Sequence, residues 1–365
     1  MTSSRFTWQN LPASSLPEND AVRRDWDRLN AVGGDLPFMA GDAIATALGT
    51  LGDGSERLLI AHEGATLRAM FLLVARGKFQ WQTFQPSQLP LGAWVADGQV
   101  PLADIAHSLL RNALDSCLVL SVTQIDPRVA PRVADTPERQ QIDYIQTGWI
   151  DIQGSFDAYW EQRGKNLRQN MRKQRAKLFA DGVKLTMQVL RDHADMAPAV
   201  ARYGSLESAG WKAQAGTAVG PDNAQGRYYR ELLEHASLRG EAVVYQYLFD
   251  DRVVAMNLCL ARKGTLIVLK TAYNESIQSF SPAFLLRESE LQALHKEGEI
   301  KRLEYYGRLM EWHTRWTADK RTLYHLTLYR WPFLKKLAQA RRRQTAARVA
   351  ALSAKGVITT TTEPS

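Results

Sequence analysis

Cysteine is scarce in this chain: Cys117 and Cys259 are the two in 365 residues, 142 positions apart. Both lie in apolar runs, so they read as buried thiols rather than a disulfide framework or a close redox pair. The seven histidines, at 62, 107, 193, 235, 295, 313 and 325, show no metal-ligand spacing, and no metal is expected. Long apolar runs are missing too. The longest, Ala69 to Ala75 (AMFLLVA), falls far short of the roughly 20 residues that cross a bilayer, so no transmembrane segment is expected. The opening MTSSRFTWQN lacks the charged-then-apolar order of a signal peptide, and a soluble cytoplasmic protein is the default expectation. There is no GxxxxGK[ST] loop, no GxGxxG after a strand, no HExxH and no GxSxG. Kinases, dinucleotide dehydrogenases, zinc hydrolases and serine hydrolases are therefore disfavoured.

What is present is an ordinary globular composition, 45% hydrophobic and 23% charged, long enough for about two domains. The net charge of +8 is local. Arg163 to Lys177 carries seven basic residues and Lys335 to Arg348 six, with no acid in either run. Outside them 33 basic residues face 38 acidic ones, so the basic character belongs to two segments.

Residues 1–55 are mixed. Strand-like segments follow at Arg57–His62, Leu67–Val74 and Phe79–Phe84, then a Pro/Gly-rich loop Gln85–Gly92, a helix over Leu102–Leu114 and an apolar strand Cys117–Val122. After a proline-bearing linker, Ile142–Ile152 reads as a strand and 165–180 as an amphipathic helix with Leu167, Met171 and Leu178 on its apolar stripe. The same order then returns about 190 residues on. Strands at Ala242–Phe249, Arg252–Ala261 and Thr265–Tyr273 form a meander, a helix opens at Ser281-Pro282, and strands follow at Ile300–Tyr306 and Thr322–Tyr329. This is an α/β (α+β) duplication of mixed, mostly antiparallel sheets flanked by helices. The expected units are 1–150, 151–332, and a basic C-terminal helix with a frayed tail over 333–365.

A strand running into a capped helix leaves backbone N–H groups where an anion can sit. Here that seat is Asn274–Phe284, with Ser281 and the amides of Ala283, Phe284 and Leu285 facing the anion; an ordinary helix cap is the plainer reading. Glu304 and Tyr306 alternate on one face of their strand while Tyr305 points away. Glu304 is the candidate base, with Tyr306 or Tyr273 as acid; equally, Glu304 could pair with Arg302 or Arg308 and the tyrosines could simply pack. Lys270 lies among apolar residues, either on a solvent face or aimed at the site.

Four blocks carry a resemblance: Phe156–Gly182, Gly210–Val219, Leu269–Leu285 and Tyr306–Trp316, with a looser echo at Gln85–Trp94. Over roughly 150–330 the chain resembles the GNAT-type acyltransferases of the BioF2-like (CelD-like) group, relatives of the FemABX aminoacyltransferases. The resemblance implies tandem GNAT-like modules, the first degenerate, and acyl transfer from acetyl-CoA or another acyl-CoA to an amine or hydroxyl. It implies that the strand over 266–271, with Val268, Leu269 and Lys270, binds the pantetheine arm, and that Ser281, Ala283, Phe284 and Leu285 hold the pyrophosphate. The family's usual Tyr-Lys is Trp312-His313 here, so either His313 substitutes as a proton carrier or the site is altered. Trp211 and Lys212 are expected on the acceptor wall.

The basic helix has three readings: a nucleic-acid surface, a solvated face, or the side of an acceptor cleft with Arg168 and Arg172 touching substrate. The first functional expectation is an N-acyltransferase acting on an amino sugar or polysaccharide precursor. The second is transfer from aminoacyl-tRNA, and the third a non-catalytic scaffold with a degenerate GNAT fold. Peripheral association with anionic surfaces through the basic segments is a further expectation.

Overall fold

The computed structural model describes residues 5–208, 219, 220 and 222–354, with side chains to residue 345. Its strands are β1 (Thr7–Pro12), β2 (Arg57–Glu63), β3 (Thr66–Ala75), β4 (Gln80–Thr83), β5 (Trp94–Ala96), β6 (Val119–Ile125), β7 (Arg139–Asp151), β8 (Leu185–Leu190), β9 (Ala242–Phe249), β10 (Arg252–Arg262), β11 (Thr265–Tyr273), β12 (Arg302–Glu304) and β13 (Lys320–Tyr329). Its helices are α1 (Ser15–Glu18), α2 (Asp20–Gly33), α3 (Gly41–Leu51), α4 (Leu102–Asn112), α5 (Phe156–Glu161), α6 (Lys165–Ala180), α7 (His193–Ser208), α8 (Ala224–Ser237), α9 (Pro282–Glu297), α10 (Glu311–Thr314) and α11 (Pro332–Ala354).

Among the described residues thirteen strands join in one mixed sheet, ordered β1-β2-β3-β4-β6-β13-β7-β12-β11-β10-β9-β8, with β5 beside β3. The halves repeat one plan: an antiparallel meander, a helix, then a strand parallel to the meander's last member. β4 pairs β6 in parallel in the first half, and β11 pairs β12 in parallel in the second. Local chemistry sets the turns. Lys263 and Gly264, at φ 44° and 76°, make the two-residue hairpin between β10 and β11 that a right-handed strand twist favours.

The halves also exchange strands. β7 leaves the first half and pairs β12 of the second through Trp149–Asp151, while β13 returns from the second half to lie against β6. β7 and β13 pair with each other along most of their length, which ties the two sheets together.

Helices cover both faces. On one face α2, α3, α7 and α8 share a single core that includes Leu29, Ile44, Tyr203, Leu232 and Tyr306. Thr46 and His235 hydrogen-bond across it at 3.2 Å. On the other face there are two separate cores, one under α4 and one under α5, α6 and α9. The α9 side of the second core borders the candidate site.

Candidate functional site

β11 and β12 pair only over Thr265–Ile267 and Arg302–Glu304. Beyond Glu304 the chain follows β7 instead: the Tyr305 and Leu309 amides donate to the Gly148 and Gln146 carbonyls, at 3.2 and 2.7 Å. Tyr306, at φ 52°, makes the bend. β11 continues to Tyr273 and carries an extra residue, Leu269, because Leu258 faces Lys270 while Cys259 faces Val268. Such a bulge twists and re-aims a strand beside a functional opening. A cavity of about 560 Å³ lies along this splay, bordered by Thr271 and Tyr273 of β11, Ser281 to Phe284, Arg287, Trp312 and Trp316.

Its floor is a buried polar chain. Thr271 Oγ1 donates to Asn257 Oδ1 at 2.7 Å, Asn257 Nδ2 to Glu290 Oε2 at 2.9 Å, and Arg287 Nη1 to the same oxygen at 2.6 Å. Arg287 and Glu290 are 2% and 0% exposed. Burial opposes the Arg287 charge, but Glu290 together with Tyr305, Cys259 and Tyr159 outweighs it, so the guanidinium stays protonated. Burial raises the Glu290 carboxyl against the pull of Arg287 and Asn257. The Arg287 guanidinium stands 5.3 Å above the Tyr305 ring.

Behind the wall, His313 accepts the Met310 N–H on Nδ1 at 2.9 Å, so a neutral ring carries its proton on Nε2. Burial and the Arg287 charge push its pKa down to about 3. Trp312 stacks on His313 with ring centres 3.5 Å apart. Three buried polar atoms here have no partner: the Tyr305 hydroxyl, Trp316 Nε1 and Glu290 Oε1. Buried polar atoms are rarely left unmatched, and of these three residues Trp316 borders the cavity.

The basic helix α6 flanks the start of α9. Asn170 Nδ2 donates to Ser281 Oγ at 3.4 Å, and Lys177 sits 4.5 Å over the Phe280 ring. Arg175 grips Glu288 through Nε and Nη2 at 3.0 and 2.8 Å. Arg163, with Tyr159, bonds the Trp316 carbonyl and so fixes the cavity wall. Lys165, Arg168 and Arg172 line a separate shallow basin with Glu288 and Trp160.

The expected site residues fall into groups. Tyr273, Ser281, Ala283 and Phe284 border one cavity. Leu285 is fully buried in the core, and Val268 packs beneath the same face. The Phe284 and Leu285 amides turn inward to the Ser281 carbonyl at 3.0 and 3.1 Å instead of facing an anion, because left-handed Ser281 already opens the helix. Leu269 and Lys270 face the other side, where Lys270 Nζ lies 3.4 Å from Glu207 and 5.7 Å over Tyr229. Glu304 and Tyr306 also lie there. Glu304 bridges Arg128 and Arg321 at 2.6 and 2.8 Å, and Arg321 stands 5.0 Å over the Tyr306 ring. Burial raises Glu304 against the pull of both arginines. Trp211 and Lys212 lie outside the described residues.

Arg287, Glu290 and Asn257 are not singled out by sequence reasoning, and Thr271 and Trp316 enter it only as members of the resembling blocks. A signal for two of them exists: the stripe Arg287, Glu290, Leu291, Leu294 has helical spacing and puts two charges on the face that the leucines bury.

Residues 165–308 match the family model of the acetyltransferase (GNAT) domain. They carry a GNAT acetyltransferase domain. No curated protein matches the chain. Among solved structures, a C-terminal domain described as that of a lysylphosphatidylglycerol synthetase from Agrobacterium fabrum aligns with TM-score 0.52 and 13% identity, covering 89% of this chain and 96% of that one. FemX aligns at 0.48 and 8% identity, over 77% and 90%. A tandem GNAT protein from the clavulanic acid biosynthesis pathway aligns at 0.46 and 12%, over 88% and 98%. At these identities the likeness concerns the fold alone, and outside 165–308 the first half repeats the plan of meander, helix and parallel strand.

Proposed function

We propose that this chain is an acyl-CoA-dependent N-acyltransferase, acetyl being the simplest group, acting on an amino sugar or another polysaccharide or cell-envelope precursor. One observation carries the reading: the bulged edge of β11 runs past an open cavity to the start of the sixteen-residue helix α9. The lining suits a thioester on a pantetheine arm. Trp312, Trp316 and Phe284 offer apolar walls, while Arg287 and the unpartnered Trp316 indole offer donors for amide carbonyls. Asn170 and Lys177 of α6 stand beside the helix start, where phosphates gain from helix dipole and cations together. The acceptor class rests on the resemblance to the BioF2-like group.

When bound, the thioester supplies an activated carbonyl, so that the acceptor's C–N bond forms as the C–S bond breaks. A residue of the chain handles the proton on the sulfur side. Tyr273, kept protonated because burial raises its phenol, gives a proton to the departing sulfur. Glu304, the candidate base, lies across the sheet in ion pairs with Arg128 and Arg321, so the acceptor's ammonium proton leaves to solvent instead.

The aminoacyl-tRNA reading draws on the basin of Lys165, Arg168 and Arg172, whose cations suit phosphates. Calorimetry with acetyl-CoA, CoA and longer acyl-CoAs separates the two. Micromolar binding supports the acyl-CoA reading. If nucleic-acid-free protein binds no CoA, that reading fails and charged tRNA is tried next, with affinity expected to drop steeply as salt rises.

A further inference from the structure

The second basic segment serves another surface. Its helix, α11, is locked to the body at its start. Arg330 donates from Nε to the Cys117 carbonyl at 2.6 Å, and from Nη2 to the Leu110 and Leu114 carbonyls around the end of α4. One turn on, Lys335 Nζ donates to the Thr136 and Arg139 carbonyls at 2.8 and 2.7 Å. These anchors turn Leu334, Lys335 and Ala338 toward the protein and fix the opposite face outward.

That outward face is apolar and basic together. Trp331, Phe333 and Leu337 are 44%, 59% and 47% exposed. The Trp331 and Phe333 rings stack at 5.8 Å and 10°, forming a ready-made aromatic plate, and Leu337 follows Phe333 by one helical turn. Lys336, Arg341 and Arg343 are exposed beside them, and among the described residues none has an acidic partner. Single exposed apolar residues need no explanation, but a contiguous group rimmed by cations does.

We propose that this face of α11 seats on an anionic lipid surface, with Trp331, Phe333 and Leu337 entering the headgroup boundary and the cations meeting lipid phosphates. Interfacial helices have this composition: aromatic and leucine residues on one side, Lys and Arg around them, and no acid. An RNA would use the cations but leaves Phe333 and Leu337 without an apolar environment. A second copy of the chain would set the exposed Lys336, Arg341 and Arg343 against the same three cations. Charge and apolar area together therefore select the lipid.

The experiment sediments the full chain with vesicles of phosphatidylglycerol and phosphatidylcholine, against pure phosphatidylcholine, over a salt series. Binding to the anionic vesicles should exceed that to the neutral ones by about tenfold or more. The double change Phe333→Ser with Leu337→Ser should weaken it by about tenfold at unchanged net charge. Arg341→Gln with Arg343→Gln should weaken it and flatten its salt dependence. All four positions are exposed, and an unchanged melting temperature confirms the fold. Three results overturn the proposal: no binding to anionic vesicles, binding indifferent to Phe333 and Leu337, or the same variants abolishing tRNA binding or self-association while vesicle binding persists.

Discussion

The sheet contains one branching geometry twice, and the two copies end differently. In the first half β4 and β6 run parallel over Gln80–Gln82 and Val119–Ser121, then separate, as β11 and β12 do in the second. In the first half the chain returns into its own gap. Gly92 N–H donates to the Thr123 carbonyl at 3.2 Å, and Ala93 N–H to the Phe84 carbonyl at 2.9 Å. Thr83 and Thr123 hydroxyls close the seam at 2.7 Å. Only about 20 Å³ remains beside Gly92, against about 560 Å³ along β11. Parted strands therefore do not make a site by themselves. What matters is where the chain goes next: after Thr83 it folds back, whereas after Tyr273 it swings outward through Glu275–Phe280 and left-handed Ser281 into α9.

Two bulky substitutions test this contrast most severely. Ala283→Trp fills the open cavity and should abolish acyl-CoA binding by calorimetry while leaving the melting temperature nearly unchanged, since Ala283 faces the cavity rather than the core. Gly92→Ala should do the reverse. A Cβ there would lie 2.5 Å from both the Thr123 carbonyl oxygen and Thr83 Oγ1, so overpacking should cost about 3 kcal/mol in denaturant unfolding, with ligand binding intact. If both variants lose binding, the first half's gap belongs to the site after all.

A pH series sharpens the contrast next. His313 packs behind the open cavity with a folded pKa near 3. Below about pH 6.5 the unfolded chain takes up a proton there that the folded ring refuses, so stability falls on acidification, by about 1.4 kcal/mol per unit. Glu290 and Glu304, both raised by burial, contribute with the opposite sign. The difference between wild type and His313→Gln isolates the ring: the wild type should lose about 2 kcal/mol more between pH 7 and pH 5. Equal pH dependence in both proteins would show that His313 is hydrated rather than sealed behind the wall.

Much of the fold is legible in the sequence because its meanders are built from alternating or continuous apolar runs with short turns. Pro282 at the first helical position likewise announces α9, although the left-handed Ser281 makes no side-chain capping bond there. The mixed stretch 1–55 conceals β1, α2 and α3, and half-buried β8 lacks a clean alternation. The exchange of β7 and β13 is a choice of distant partners, which no local pattern encodes. The site divides in the same way. Tyr273, Ser281, Ala283 and Phe284 can be picked because a strand end and a helix start are sequence features. Alternation correctly groups Glu304 with Tyr306 but does not say which face they share. Helical spacing puts Arg287 and Glu290 on the face that Leu291 and Leu294 bury, but the polar chain they form with Asn257 depends on a strand partner that no local pattern encodes.

The smallest effect probes the seam that closes the first half. Thr83 Oγ1 accepts the Thr123 N–H at 2.9 Å and shares a proton with the Thr123 hydroxyl, and Thr83 is fully buried. Thr83→Val preserves shape but strands a buried backbone donor, which should cost about 1–2 kcal/mol. Thr83→Ser keeps the hydroxyl and loses one methyl, so it should cost about 1 kcal/mol or less. Chemical denaturation ranks the pair. Val worse than Ser means the polar seam holds the gap shut; Ser worse than Val means packing does, and the contrast between the halves is then one of volume alone.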